Sequence, residues 1–167
     1  MKSNLLILIV LLTYSMGTEQ LLAQDNSELK SFKIFEFGSS PNDVNGRLQL
    51  DLTISYGLKY YKYKSKNFKE LYGQKIHDIN LGFRDDQLEY IDMYFAKLDL
   101  DGFNDIREGL DLELGNSNRF EAVEKGVIAS FRWKIGETTI DFYQYNDEAI
   151  DLDDRNKTVL AISKPLN

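Results

Sequence analysis

The chain has 167 residues, a formal net charge of −7, no Cys and a single His, His77. This length suits one domain whose core needs neither a disulfide nor a structural metal. The absence of Cys excludes thiol nucleophiles and thiolate metal sites, and one His excludes sites that need two imidazoles. The acidic balance argues against a general nucleic-acid-binding protein, so we expect no nucleic acid among the partners.

The first 23 residues are typical of a secretory signal peptide. Lys2 precedes the apolar run LLILIVLL at 5–12, which is too short to cross a bilayer as a helix. Small residues permit cleavage after Gly17 or after Ala23, and we favour Ala23. We therefore predict a secreted or periplasmic protein with no stable membrane insertion after cleavage, and no lipoprotein, because no Cys can carry a lipid. An uncleaved N-terminal anchor is the alternative.

Residues 24–167 are predicted to form a single α+β domain with an internal repeat. The block NDVNGRLQLDL at 42–52 matches NDIREGLDLEL at 104–114, and IDMY at 91–94 matches IDFY at 140–143. Because the matching blocks keep their order, we predict two pseudo-repeats at about 32–97 and 98–163. Chance similarity among stretches rich in Leu and Asp is the alternative.

In chain order, residues 32–37 predict an opening strand, and the block at 42–52 fits either a helix or a strand. The sequence SPND at 40–43 has the order of a helix start, so it favours a helix near 40–50, although Gly46 weakens that prediction. The second block is clearer. Phe103, Ile106, Leu110 and Leu114 lie on one helical face, and Gly115 supplies a stop.

After each predicted helix the hydrophobic period becomes two. Strands are expected at 75–83 and 87–97 around a turn at 84–86, at 127–135 and 138–145 around a turn at 136–137, and at 158–163. The predicted fold is therefore an α+β antiparallel sheet with helices on one face, built from two helix-then-β-hairpin pseudo-repeats.

Three motifs carry a resemblance to known proteins: GSSPNDV at 38–44, LxFRDDQLxYI at 81–91 and FNDIxxGLxxxLG at 103–115. With these motifs the chain resembles uncharacterised exported bacterial proteins, and the tandem arrangement is similar to β-lactamase-inhibitor-protein-like and BamE-like domains. The resemblance implies protein binding or envelope assembly. The chain departs from BamE-like proteins in lacking the lipid-bearing Cys, which argues against an envelope-anchored role.

Strand alternation predicts the candidate binding site. If Ile91, Met93 and Phe95 face the core, the residues between them and Leu88 face outward, and the second hairpin follows the same rule. The predicted site comprises Tyr90, Asp92, Tyr94, Arg132, Lys134, Asp141, Tyr143 and Tyr145. Tyr and Arg are enriched where proteins recognise partners. We therefore expect a non-catalytic module that binds a protein or peptide; ordinary cross-strand pairing on a solvated face is the alternative.

The stretch 56–69 offers a second candidate site. It alternates bases with aromatic residues, and its predicted binding residues are Lys59, Tyr61, Lys62, Tyr63, Lys64 and Lys66. Residues 59–75 carry a net charge of +5, whereas residues 85–154 carry −13. Such a stretch suits an anionic glycan or another anion. A solvated edge strand protected by lysines is the alternative, and the simpler explanation of this stretch.

Neither metal binding nor catalysis is strongly indicated. Asp99, Asp101, Gly102 and Glu108 fit positions 3, 5, 6 and 12 of a calcium-binding loop, but Lys97 stands at position 1, which favours a helix start instead. The chain has no GxSxG motif, P-loop or dinucleotide fingerprint. We predict no cofactor, no metal and no enzymatic activity, with a carboxylate-based hydrolase as the least favoured alternative.

Overall fold

A computed structural model describes residues 34–54, 57–64, 68–120, 125–148 and 157–165. The predicted signal peptide lies outside these residues. Within them, no helix is long and apolar enough to cross a membrane. The elements are β1 (Arg47–Thr53), β2 (Leu58–Lys64), β3 (Glu70–Leu71), β4 (Gln74–Arg84), β5 (Gln87–Ala96), α1 (Leu100–Leu114), β6 (Asn118–Arg119), β7 (Val127–Ile135), β8 (Thr138–Tyr145) and β9 (Lys157–Ser163).

The nine strands form one antiparallel sheet in the order β1-β2-β4-β5-β9-β8-β7-β6, with β3 paired beside β4. Strand β9 lies between the two long hairpins: its Leu160 is opposite Met93 of β5 on one side and opposite Phe142 of β8 on the other. The two hairpins therefore do not pair with each other, and β9 joins them into a single sheet.

The predicted fold class is wrong. The structure is mostly antiparallel sheet with one helix among the described residues, rather than two helix-then-hairpin units. The SPND sequence closes a turn instead of starting a helix: the Asp43 carboxylate accepts hydrogen bonds from the backbone N–H and the hydroxyl of Ser40, at 3.0 and 2.7 Å. These two bonds lower the pKa of Asp43.

Contacts with β2 explain why no helix forms over residues 44–50. The Tyr63 ring packs so closely over Gly46 that any side chain there would clash with it. The Tyr63 hydroxyl also donates to the carbonyl of Asn45 at 2.8 Å. From Arg47 onward the backbone pairs with β2, with Leu48 opposite Tyr63. Tertiary pairing therefore overrides the local capping signal.

The two blocks matched as a repeat consequently have different structures. Residues 104–114 belong to α1, whereas residues 47–52 form most of the outermost strand. The prediction of two helix-then-hairpin repeats is therefore wrong. Residues 34–37, expected to form a strand, are turn and irregular backbone. After them, Gly38 and Ser39 exchange backbone hydrogen bonds with Leu88 at 3.0 Å.

Helix α1 is confirmed, and its ends follow the predicted signals. Asp99 is the N-cap residue and accepts a hydrogen bond from the Gly102 N–H at 2.9 Å. Gly115 ends the helix with φ 87°, a backbone conformation that suits glycine. The acidic start of this segment therefore caps a helix.

Both long hairpins and the closing strand are also confirmed. The turn between β4 and β5 places Asp85 and Asp86 at φ 49° and 60°, a left-handed pair that Asp tolerates and that matches the twist of a two-residue hairpin. Gly136, at φ 56°, serves the turn between β7 and β8.

The core lies on one face of the sheet, called the core face below. Phe103 of α1 stacks on Phe142 with ring centroids 4.4 Å apart. The indole N–H of Trp133 donates to the Asp111 carboxylate and to the Gly115 carbonyl, both at 3.0 Å, and so fixes the end of the helix. Phe35, in the segment before β1, packs edge-on against Tyr63. Helix and segment thus cover the two halves of the core face.

Candidate functional site

The opposite face of the sheet, called the open face below, is covered by no helix or strand of the described part of the chain. Strand register aligns its residues in rows across β5, β9, β8 and β7. One row runs Asp92, Ala161, Asp141, Arg132; the next runs Tyr94, Val159, Tyr143, Ser130; a third runs Tyr90, Ser163, Thr139, Lys134. These rows hold seven of the eight residues of the predicted main site, and the eighth, Tyr145, lies on the same face two residues after Tyr143, against which it packs.

An aromatic cluster forms one end of this face. Tyr145 and Val159 are almost fully buried, and Tyr94 and Tyr143 pack against them. The rings of Tyr143 and Tyr145 lie 5.3 Å apart and nearly perpendicular, an arrangement that aromatic pairs prefer. The ammonium of Lys157 lies 5.4 Å from the centre of the Tyr94 ring. The open face therefore has a small apolar centre of its own, although no helix or strand of the described residues lies over it.

Beside this cluster lies a fixed ion pair. Arg132 binds Asp141 with two hydrogen bonds, Nε to Oδ1 at 2.5 Å and Nη2 to Oδ2 at 2.7 Å. These bonds raise the pKa of Arg132, and its guanidinium also stacks 4.4 Å over the Phe120 ring. Because these contacts hold both side chains, a partner that binds there would not have to order them.

A second tyrosine group joins Tyr90 of the predicted site to Tyr60, which was not predicted as part of it. Tyr60 of β2 and Tyr90 of β5 approach each other across Gly82 of β4, with ring centroids 6.4 Å apart. A Cβ atom on Gly82 would lie 2.9 Å from Tyr60 Cε1 and from Tyr90 Cβ. Burial, followed by the nearby charge of Asp92, raises the pKa of Tyr60 to about 12. Glycine thus lets the tyrosine surface extend onto β2.

Leu88 does not face outward, which corrects one prediction. Gly82 is opposite Tyr90 but Phe83 is opposite Leu88, so Glu89 is an extra residue in β5. This β-bulge turns Leu88 into the core, where it is fully buried. Glu89 is only 5% exposed and is paired with Arg84, whose Nε lies 2.8 Å from the carboxylate.

The second predicted site is divided between the two faces. Tyr61 and Tyr63 lie on the core face, where Tyr61 packs edge-on against Phe83, whereas Lys62 and Lys64 lie on the open face. Lys59 pairs with Asp86 at 3.1 Å, which raises its pKa, and Lys62 pairs with Asp51 at 3.3 Å. Lys66 lies outside the described residues. The described residues of this stretch therefore do not form one binding surface.

No group of three or more potential metal ligands comes together among residues that the structure describes. His77 Nδ1 lies 2.7 Å from the Asp78 carboxylate, but both side chains are at least half exposed, so water screens the pair. Comparisons of this chain with protein families, curated proteins and solved structures found no match.

Proposed function

We propose that the protein is a non-catalytic binding module that takes up a protein or peptide on its open face. The observation that carries this proposal is that Tyr90, Tyr94 and Tyr143 share with charged residues a face that no helix or strand of the described residues covers. Tyrosine offers a large apolar contact and a polar tip at little entropic cost, which suits recognition of another chain.

The charges of the open face indicate the chemistry of the partner. Asp141 is held by Arg132, and Glu89 by Arg84. In contrast, no carboxylate of the described residues lies within ion-pair distance of Lys134 or Lys157. A fitting partner therefore presents apolar side chains to the tyrosine cluster and carboxylates to these two lysines.

Selection from a displayed peptide library on the immobilised full chain tests this proposal. We expect enriched peptides that combine aromatic or aliphatic residues with Asp or Glu, and their affinity should fall as salt is raised. Replacing Tyr90, Tyr94 and Tyr143 by Ala should weaken binding at least about tenfold, because hot-spot aromatics carry most interface energy.

Matched controls come from the other side of the molecule. Leu100 and Leu112 are 74% and 90% exposed on α1, so Leu100→Ala and Leu112→Ala should leave peptide binding unchanged. Circular dichroism confirms that each variant is folded. Unchanged binding by the triple tyrosine variant, or equal loss in the helix variants, would contradict the proposal.

A further inference from the structure

The outermost strand of the sheet, β1, has features of a pairing edge. Among the described residues only β2 pairs with it, so one row of its backbone N–H and C=O groups has no strand partner. Leu50 and Leu52 are each 54% exposed, and Ile54 just beyond the strand is 43% exposed. Soluble proteins usually protect such edges with Lys, Pro or a bulge; Arg47–Thr53 contains neither Lys nor Pro, and its irregularity in register follows Leu50.

The two sides of β1 differ in character. Leu48 and Leu50 lie on the core face, opposite Tyr63 and Tyr61. Arg47 and Gln49 lie on the open face, and the 3.3 Å contact with Lys62 places the Asp51 side chain there too. From 47 to 51 the strand therefore alternates charged or polar residues on one face with leucines on the other.

Two positive charges face each other at the start of β1. Arg47 is directly opposite Lys64, and like charges in that position repel each other. No carboxylate among the described residues lies within ion-pair distance of either side chain. Among the described residues, the edge therefore has no anionic group beside Arg47.

We propose that β1 pairs antiparallel with β1 of a second copy of this chain, about a two-fold axis that passes through Gln49. In this register Arg47 faces the partner's Asp51, and Leu48 faces the partner's Leu50. Since opposite residues lie on the same face of a sheet, both charge pairs fall on the open face and both leucine pairs on the core face. The pairing adds about four to six backbone hydrogen bonds.

Self-complementarity favours a second copy over an unrelated extended peptide. The single register centred on Gln49 supplies a carboxylate to Arg47 twice and joins the leucines twice. A register centred on Leu50 instead places Leu48 against the partner's Leu52, which the bulge after Leu50 turns to the other face, next to Tyr60. The two-fold axis stands perpendicular to the sheet, so both open faces point to the same side.

Charge-swap variants of the full chain test the pairing by sedimentation equilibrium over a range of concentrations. Wild type should move from monomer towards dimer mass as concentration rises. Arg47→Asp opposes Asp to Asp, and Asp51→Arg opposes Arg to Arg, so either variant alone should weaken the dimer at least about tenfold. An equimolar mixture of the two should restore it, because each contact between the unlike chains then joins Arg to Asp.

Lys134→Asp is the matched control, since it makes the same size of charge change on the open face but far from β1 in the strand order. It should leave the dimer intact, as should the triple tyrosine variant, so failure of peptide binding and failure of dimerisation are separable. Wild type that stays monomeric, or a mixture that associates no better than its components, would overturn the proposal. Circular dichroism excludes unfolding as the cause.

Discussion

Two adjacent residues of β8, Phe142 and Tyr143, should respond very differently to truncation because they lie on opposite faces of the sheet. Phe142 is fully buried and stacks on Phe103 of the helix at 4.4 Å. Tyr143 is half-buried on the open face, where its ring packs edge-on against Tyr145. The comparison tests the assignment of faces on which the proposed function depends.

The magnitudes follow from the contacts that each change removes. Phe142→Ala deletes a fully enclosed ring and leaves a cavity between sheet and helix, which costs about 3–5 kcal/mol of unfolding free energy. Tyr143→Ala removes one aromatic pair and part of a surface cluster and leaves no closed cavity, so its cost is about 1 kcal/mol. The expected difference is therefore at least about 2 kcal/mol.

Urea denaturation measures the two changes, with fluorescence of Trp133 as the signal. This is the single Trp of the chain, and its indole bonds to the end of α1, so its emission reports separation of helix and sheet. If Phe142→Ala does not fold, the milder pair Phe142→Leu and Tyr143→Leu keeps the comparison. Equal losses, or a larger loss for Tyr143, would refute the assignment of the open face.

Three further outcomes are expected. In an alkaline titration followed by tyrosinate absorbance, Tyr60→Phe should remove a group that titrates near pH 12. Because the pKa of Tyr60 is raised from 10.0, its contribution to stability is fully present below pH 10 and is lost as pH rises towards 12. A titration curve that the substitution leaves unchanged would exclude the shift. Gly82→Ala should destabilise the protein by about 1–3 kcal/mol in the same urea assay and weaken peptide binding, because Tyr60 and Tyr90 must move apart. Ser163→Ala, a substitution directly opposite Tyr90 on β9, should change neither stability nor binding. Mass spectrometry of protein exported by a bacterial host should find Gln24 at the N-terminus; an intact Met1 would favour the uncleaved anchor.

Local signals predicted the parts of the fold that local contacts determine. Helix α1 has one apolar stripe, an Asp cap and a Gly stop, and all three act within the same short segment. Each long hairpin likewise combines an alternating pattern with a turn residue suited to positive φ, such as Asp85 and Gly136. These elements were predictable because no distant contact had to be known.

The helix prediction for the first block, residues 42–52, was wrong because its leucines fit both a helical and a strand period. Leu48 and Leu52 fit a helix stripe, while Leu48 and Leu50 fit a strand, and the choice depends on contact with Tyr63 far along the chain. The SPND signal is physically present as hydrogen bonds between Ser40 and Asp43, yet it stabilises only a turn. Sequence alone does not show which long-range contact decides.

The candidate site was likewise predictable where it depends on local pattern and not where it depends on strand order. Alternation along β5, β7 and β8 placed all eight predicted residues on one face, because each strand fixes its own side chains. Tyr60 was missed because its contact with Tyr90 depends on the order of strands in the sheet. Leu88 was misplaced because the bulge at Glu89 shifts the alternation by one residue. Gly82, a glycine within a strand, was the one local signal that could have revealed the second tyrosine group.

The central position of β9 has a consequence for how the protein folds. Its pairing with β5 joins residue 161 to residue 92, a contact of long sequence separation, whereas the two hairpins pair locally. Local hairpins form quickly, and long-range strand pairing is the slow step of β-rich folding. Until residues 157–163 insert, β5 and β8 each expose an unpaired edge that can aggregate, so this short segment controls both the completion of the sheet and its solubility during folding.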